Sequence, residues 1–357
     1  MKKVVLYILL IGSINCFAQE QYDLAFSELK GMLNDSLSIS FKRAVFVTEN
    51  AYSDNQLSYE GFNEHIGLLT RSCSLISKQI EPLYNGRDKE NVKKYAAVFK
   101  LMTDTLKFYQ NEKDYYSTIP YMYDFDDFLG DKDWRKMFVT KLLTTHTGNC
   151  HSLPFLYKIL CKELDVKAYL AMAPNHTYIK LWCEKMGWYN TELTSGYFPI
   201  DAWIMASGYV HLSAVQNRVY MDTLSDKQSI AVCLIDLAKG YEKKYGDKSN
   251  YNFIAMCCNL ALKYYPQYVN GLLLKAETYK KVFQNEMVRQ KAEYPSDLFS
   301  SPEGKSFFDS MQSQYVYIHQ LGYRKMPDEM YLSWLTELKR EREKYVNKKI
   351  QDLNSSK

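Results

Sequence analysis

The sequence has little net charge of either sign. It contains 45 lysines and arginines against 41 aspartates and glutamates, a formal charge of +4. An excess this small creates no strong electrostatic field, and it falls to +2 if Lys2 and Lys3 are lost with a leader. The composition therefore does not favour nucleic acid or anionic lipid as a partner.

The sequence also lacks the cysteine spacing of disulfide scaffolds and zinc ribbons. Its eight cysteines include no C-x-x-C pair, and seven remain if Cys16 is removed with a leader. An odd number without motif spacing predicts at least one free thiol and no metal or cofactor. Cys150, His151 and His176 have the residue types of a zinc site but not a standard ligand spacing.

Long apolar runs are confined to the beginning of the chain. It opens MKKVVLYILLIGSINCFAQE, with two lysines, a short apolar run and small residues before Gln19. This pattern predicts a signal peptide over residues 1–18 and an exported protein, periplasmic or secreted. The residues before Cys16, Ser13-Ile14-Asn15, are a poor match to a lipidation signal. No later run is long enough to span a bilayer, so no stable membrane span is expected after cleavage.

The remaining 339 residues exceed what one core usually holds and predict two or three domains. Residues 19–132 carry segments such as "DLAFSELKGML" and "NVKKYAAVFKLMTDTLKFY", in which apolar residues recur every three or four positions. This periodicity predicts an N-terminal region of helices alone, separated by polar breaks.

A cysteine follows a Gly-Asn pair in "HTGNCHSLPFLYKILCKEL", residues 146–164. Apolar side chains after it recur at the spacing of one helical face: Leu153, Leu156, Tyr157, Leu160 and Leu164. Pro154 is tolerated only in a first helical turn, so Cys150 is expected at the beginning of the helix. Free N–H groups and the helix dipole favour a thiolate there.

Two alternating stretches follow, "HTYIKLW" and "WYNTELT", joined by "CEKMG". Their period of two predicts a β-hairpin in which His176 begins one strand, with Asn190 and Glu192 on the same face of the partner strand. Both side chains are then expected to reach the imidazole, but only one can hold its Nδ1–H. Glu192 is favoured, because a carboxylate stabilises an imidazolium whereas an amide only orients the ring.

The segments "GNC", "PNHTYIKL" and "GWYNTELT" resemble the transglutaminase-like superfamily, relatives of the papain-like cysteine proteases, over roughly residues 120–210. The resemblance implies a papain-like α+β core at 133–212 with a small antiparallel sheet. It also implies thiol acyl transfer or hydrolysis on amide bonds of a protein or peptide substrate. Cys150, His176 and Glu192 match the family's triad, although Asp is more usual at the last position.

Four further polar residues are expected to orient or bind groups around this triad: Asn149, His151, Asn175 and Asn190. The cysteines inside apolar helical segments, by contrast, are expected to be small buried hydrophobes: Cys161, Cys233, Cys257 and Cys258.

Residues 213–357 return to helical patterning. Ile254, Cys258, Ala261 and Pro266 have the spacing of the second helix of a tetratricopeptide unit, and Ala276 and Tyr279 fit the first helix of the next. Such helices predict a surface for a protein partner. Two functions therefore remain open from the sequence: an exported thiol enzyme, or an inactive binding module that acts as a scaffold through these repeats.

Overall fold

The structure is a computed structural model that describes residues 19–82, 84–109, 115–207, 209–299, 301–327 and 329–331, with single residues and pairs up to 344. The predicted signal peptide, residues 1–18, lies outside the described residues. The chain combines 61% helix with small sheets, which confirms the general α+β class. In the part of the chain that is described, none of the helices combines the length and apolar character that crossing a membrane requires.

The helices of the described residues are α1 (residues 19–33), α2 (Phe41–Tyr52), α3 (Tyr59–Gln79), α4 (Lys89–Thr103), α5 (Val139–Thr145), α6 (Ser152–Glu163), α7 (Asp201–Ser207), α8 (Leu212–Gln216), α9 (Asp226–Tyr245), α10 (Tyr251–Tyr264), α11 (Val269–Gln290) and α12 (Pro302–Gln320). The strands lie between α4 and α7: β1 (Leu106–Tyr109), β2 (Tyr115–Thr118), β3 (Met122–Tyr123), β4 (Thr147–Gly148), β5 (Tyr169–Ala173), β6 (His176–Cys183) and β7 (Gly187–Thr191).

The chain divides into two compact units. Unit 1 contains the residues up to Leu57 together with Ser225–Tyr323, and unit 2 contains Ser58–Leu224 together with the residues from Arg324 onward. The boundaries that the sequence suggests, at 132/133 and 212/213, both fall inside unit 2.

Unit 1 is helical. Helix α2 packs on α9, and α9, α10 and α11 each pack on the next helix along the chain. Ser225 and Gln228 form a reciprocal capping box that begins α9. Of the residues with repeat-like spacing, Ile254, Cys258 and Ala261 on α10 and Ala276 on α11 are fully buried, whereas Pro266 is exposed and Tyr279 is half-buried. The tetratricopeptide relationship itself remains a prediction.

Unit 2 is built on an antiparallel sheet in the order β5-β6-β7. Helix α6 packs against β5 and β6 and also against α3, α4 and α5. Its buried residues run from Ser152 to Cys161, because neighbours surround the helix on all sides. The predicted hairpin is confirmed: Lys180 pairs with Asn190 and Trp182 with Trp188, and Gly187 takes a left-handed φ of +69° at the end of its loop.

The prediction of helices alone over residues 19–132 is wrong after Thr103. Helix α4 ends there, and β1 and β2 form an antiparallel pair in which Leu106 lies opposite Thr118. The segments "LKFY" and "YYST" consist mainly of aromatic and hydroxyl residues, which fit a pleated surface better than a helix.

Candidate active site

Cys150 lies in a capped turn that leads into α6. The Asn149 Oδ1 atom accepts hydrogen bonds from the backbone N–H groups of His151 at 3.0 Å and Ser152 at 3.2 Å. The Asn149 carbonyl accepts from the Leu153 N–H at 3.1 Å. These bonds satisfy the first N–H groups of the helix, as an N-cap asparagine does. The turn therefore fixes the direction of the Cys150 side chain without using the thiol.

His176 begins β6 after a two-residue turn, Pro174-Asn175, and pairs with Ala173 on β5. Asn175 has a left-handed φ of +55°, a conformation that asparagine tolerates better than most residues. Its side chain is exposed, but its carbonyl oxygen lies 3.6 Å from the Cys150 Sγ. The turn thus brings both a histidine and a backbone acceptor to the thiol.

Glu192 lies just beyond β7, where it forms an isolated bridge with Tyr197. Its Oε1 accepts a hydrogen bond from the Thr194 N–H at 2.7 Å, and its Oε2 lies 2.6 Å from the His176 Nε2. Cys150, His176 and Glu192 are 6%, 5% and 4% exposed. The structure therefore brings the three residues predicted as catalytic together in one buried cluster.

The nitrogen of His176 that meets the carboxylate differs from the prediction. Nε2, not Nδ1, contacts Glu192, and Nδ1 is buried without a hydrogen-bond partner among the described residues. Since His176 also interacts with the Cys150 thiol, Nδ1 is the nitrogen left to face it. Which edge of the ring meets each partner depends on side-chain torsion angles, and residue spacing does not encode these.

The electrostatics of the cluster favour charged side chains. Burial opposes ionisation of Cys150, but the polar contact with the His176 ring and the charge of that ring hold the thiol pKa below its usual value. Burial likewise opposes a charge on His176, yet the Glu192 carboxylate and Cys150 raise its pKa to about 10. The pKa of Glu192 is lowered against the effect of burial by the charge of His176. All three shifts favour a thiolate, an imidazolium and a carboxylate over the neutral forms of these side chains.

Two aromatic side chains from near the end of the chain cover this cluster. The Tyr331 hydroxyl donates to the Asn175 carbonyl at 2.9 Å and lies 3.8 Å from the Cys150 Sγ. The Trp334 ring meets the His176 ring edge to face, with 4.5 Å between centroids. Tyr331 and Trp334 are 2% and 5% exposed, so both are part of the interior of unit 2.

The four residues predicted to orient or bind groups around the triad have other roles in the structure. Asn190 donates to the Pro199 carbonyl at 2.9 Å and to Asp201 at 2.8 Å, and these bonds direct it away from His176. Asn149 caps α6. His151 directs its Nδ1 to the Met137 carbonyl at 2.9 Å. Of Asn175, only the backbone faces the site.

Tyr331, Trp334 and Tyr123 are the site residues that sequence reasoning missed. The tail reads as a charged amphipathic helix, and aromatic residues three positions apart on such a helix indicate only a buried face. Tyr331 and Asn175 are 156 residues apart, so no local pattern relates them. The buried Tyr123 hydroxyl interacts with both Cys150 and Tyr331, and burial together with these neighbours raises its pKa well above 10.

Other features of unit 2 lie away from the cluster. A cavity of about 530 Å³ is lined by Trp182, Trp188 and Tyr169 together with polar residues of α4 and the segment after α6. Among the residues that the structure describes, no group of three or more His, Cys, Asp and Glu side chains could hold a metal ion. The described cysteines, from Cys73 to Cys258, are all free thiols and all buried.

Comparison of the chain with protein families, curated proteins and solved structures found no match in any of the three.

Proposed function

We propose that the protein is a transglutaminase-like cysteine enzyme that acts on amide bonds through Cys150, His176 and Glu192. The observation that carries the proposal is the buried contact of 2.6 Å between the His176 Nε2 and the Glu192 Oε2, beside a thiol whose pKa is lowered by the same histidine. Ordinary buried cysteines of this chain behave in the opposite way, because burial raises the pKa of Cys73 to about 12.

The reaction follows from the charges of the cluster. The Cys150 thiolate attacks the amide carbonyl carbon and forms a carbon–sulfur bond. The His176 imidazolium then gives its Nδ1 proton to the leaving amine as the carbon–nitrogen bond breaks. Water, or a second amine, attacks the resulting thioester while His176 takes up a proton, and the carbon–sulfur bond breaks to restore the thiolate. Glu192 stabilises the imidazolium before acylation and after deacylation, and orients the neutral ring between them.

The substrate that suits this chemistry is a protein or peptide, and the product is a shortened chain, a free acid or a cross-link. A papain-like core around α6 and the β5-β6-β7 sheet would supply the scaffold, with the thiol at the beginning of the helix and the histidine on the sheet. We also propose that the enzyme is exported, because of the lysine-flanked apolar run at the start of the chain. N-terminal sequencing of the natural protein tests export: an intact Met1 would contradict it.

A pH titration of thiolate ultraviolet absorbance tests the catalytic proposal without a substrate. The spectrum of a Cys150→Ser protein, subtracted from that of the parent, isolates the signal of this one thiol. A thiolate is expected at neutral pH in the parent, and its titration is expected to move to higher pH in His176→Ala, because burial alone raises the pKa of a thiol. The matched control is Asn190→Ala, which leaves the titration unchanged because Asn190 does not contact His176. A parent protein without thiolate at neutral pH would refute the proposal.

A second candidate function is a scaffold in which the cluster is inactive and the helices of residues 213–357 bind a protein partner. The observation that favours it is the covering of Cys150 by Tyr331, which leaves the thiol 6% exposed. The same titration separates the two functions, since an inactive cluster has no need of a thiolate.

A further inference from the structure

Tyr331 and Trp334 cover the thiol and make the kinds of contact that a bound ligand would make. The Tyr331 hydroxyl reaches both a backbone carbonyl, that of Asn175, and the Cys150 sulfur, the two groups that a bound peptide would also meet. The Trp334 ring lies edge to face against the imidazole of His176. The two side chains therefore occupy the space in which the reaction would take place.

Trp334 is buried without the hydrogen bond that a permanent core tryptophan usually makes. Its Nε1–H has no partner among the described residues, although the side chain is 5% exposed. A buried donor without an acceptor has lost its hydrogen bonds to water and is therefore unfavourable. Because of this cost, a ligand that fits better can displace the Trp334 ring from its position.

Aromatic rings form the walls around these two side chains. Trp203 lies 6.4 Å from Trp334, and Phe128 lies 5.1 Å from Tyr331, measured between ring centroids. Tyr123 is buried beside Tyr331. Displacement of Tyr331 and Trp334 would uncover a space with aromatic walls, the Cys150 sulfur at its base and a backbone carbonyl at its side. Such walls select a flat apolar side chain.

We propose that this space is a subsite for an aromatic side chain of a peptide substrate, and that Tyr331 and Trp334 occupy it as an internal pseudosubstrate. The proposal rests on the proposed function of Cys150 and names its substrate class: peptides with a tryptophan or tyrosine close to the reacting amide. The segment that carries Tyr331 then competes with substrate, and access to the thiol requires it to move.

Alkylation of Cys150 in the full-length chain, read by mass spectrometry, tests whether the segment covers the thiol. Trp334→Ala is expected to speed labelling by iodoacetamide by at least about tenfold, the effect of about 1.4 kcal/mol. Tyr331→Phe, which removes only the hydroxyl, keeps the variant set informative if Trp334→Ala folds poorly, and is expected to speed labelling in the same direction. Met330→Ala is the matched control, because Met330 lies on the same segment but is 42% exposed. Equal rates in all these proteins would overturn the proposal.

Two reactive probes test the aromatic preference. In Trp334→Ala, N-chloroacetyl-tryptophan amide is expected to label Cys150 at least about tenfold faster than N-chloroacetyl-alanine amide, with the thiolate displacing chloride in both cases. A synthetic peptide of residues 326–337 is expected to slow both probes, and its version without the two aromatic residues is not.

The outcomes separate this inference from the proposed function. Equal labelling by the two probes, with a thiolate that still depends on His176, would overturn the aromatic subsite and leave the enzyme proposal standing. A chain without thiolate at neutral pH would overturn both.

Discussion

At the scale of single residues, Cys150 and His176 exchange one proton without changing the number that the pair binds. In the folded chain the thiol pKa is lowered and the imidazole pKa is raised to about 10, and both shifts favour a thiolate paired with an imidazolium. In the unfolded chain at neutral pH the same pair is a thiol and a neutral imidazole. Each state holds one proton, and this equality decides how pH acts on stability.

The contribution of this pair to the free energy of unfolding is therefore expected to have a plateau, a range of pH over which it is constant. The lower limit of this range is pH 6.5 or the lowered pKa of Cys150, whichever is higher, and the upper limit is pH 9.0. Within it the folded and unfolded states bind the same number of protons. At a pH below 6.5 but above the lowered pKa of Cys150, the unfolded state binds two protons and the folded state one, so stability falls with falling pH. Above 9.0 only the folded state keeps the imidazole proton, and stability falls as pH rises towards about 10.

Cys150→Ser removes the plateau. His176 remains paired with Glu192 and keeps a raised pKa, so its stabilisation is complete below 6.5 and is lost as pH rises. Urea unfolding between about pH 6.5 and about pH 9 is expected to give a declining stability for Cys150→Ser and a level one for the parent. Parallel curves would show that the pair does not ionise in the folded protein.

Glu192→Gln is expected to lower the pKa of His176, because the carboxylate charge is the largest of the effects that raise it. The imidazole protons of His176, followed by NMR from about pH 6 to about pH 8, should show little change in the parent and a titration in the variant. Asn190→Ala serves as the control and should resemble the parent. An identical His176 titration in Glu192→Gln would exclude a role for this carboxylate.

At the scale of elements, the capped turn before α6 links helix stability to the state of the thiol. Asn149→Ala removes the acceptor for two N–H groups and the side-chain donor to the Phe128 carbonyl, and is expected to destabilise the chain by about 1 to 2 kcal/mol. Ser58→Ala removes the cap of α3 and provides a comparison for the loss of a cap elsewhere. Urea midpoints should fall in both variants, but the thiolate titration of Cys150 should change only in Asn149→Ala.

Elements with a regular pattern were predictable from the sequence. The apolar spacing from Leu153 onward predicted α6, and the period of two predicted the hairpin of β6 and β7. The β1–β2 pair was missed because the helical spacing of apolar residues in α4 continues in the sequence beyond Thr103, where the helix ends. The side chains over the thiol could not be predicted, since Tyr331 meets Asn175 through tertiary packing alone.

At the scale of the whole molecule, the chain leaves unit 2 after Leu224 and returns to it at Arg324. The returning segment supplies Tyr331 and Trp334 to the interior of unit 2, and no part of it belongs to unit 1. A chain that ends at Arg324 is therefore expected to lose buried aromatic surface from unit 2 only.

Hydrogen exchange of that shortened chain provides the measurement. Amides of α6 and β6 are expected to exchange faster than in the parent, because the cluster that joins them is opened to water. Amides of α10 and α11, in unit 1, act as an internal control and should keep their protection. Faster exchange throughout both units would contradict the division into units.

The alternation of the two units along the chain also sets an order of events on the ribosome. Helix α2 is made before residues 58–224, and α9, on which it packs, only after them, so the first helices of unit 1 must wait for their partner. Cys150, His176 and Glu192 are likewise complete long before Trp334 is added. Every nascent chain thus passes through an interval in which its thiol is formed but not yet covered, and in which it is exposed to neighbouring chains and to oxidants.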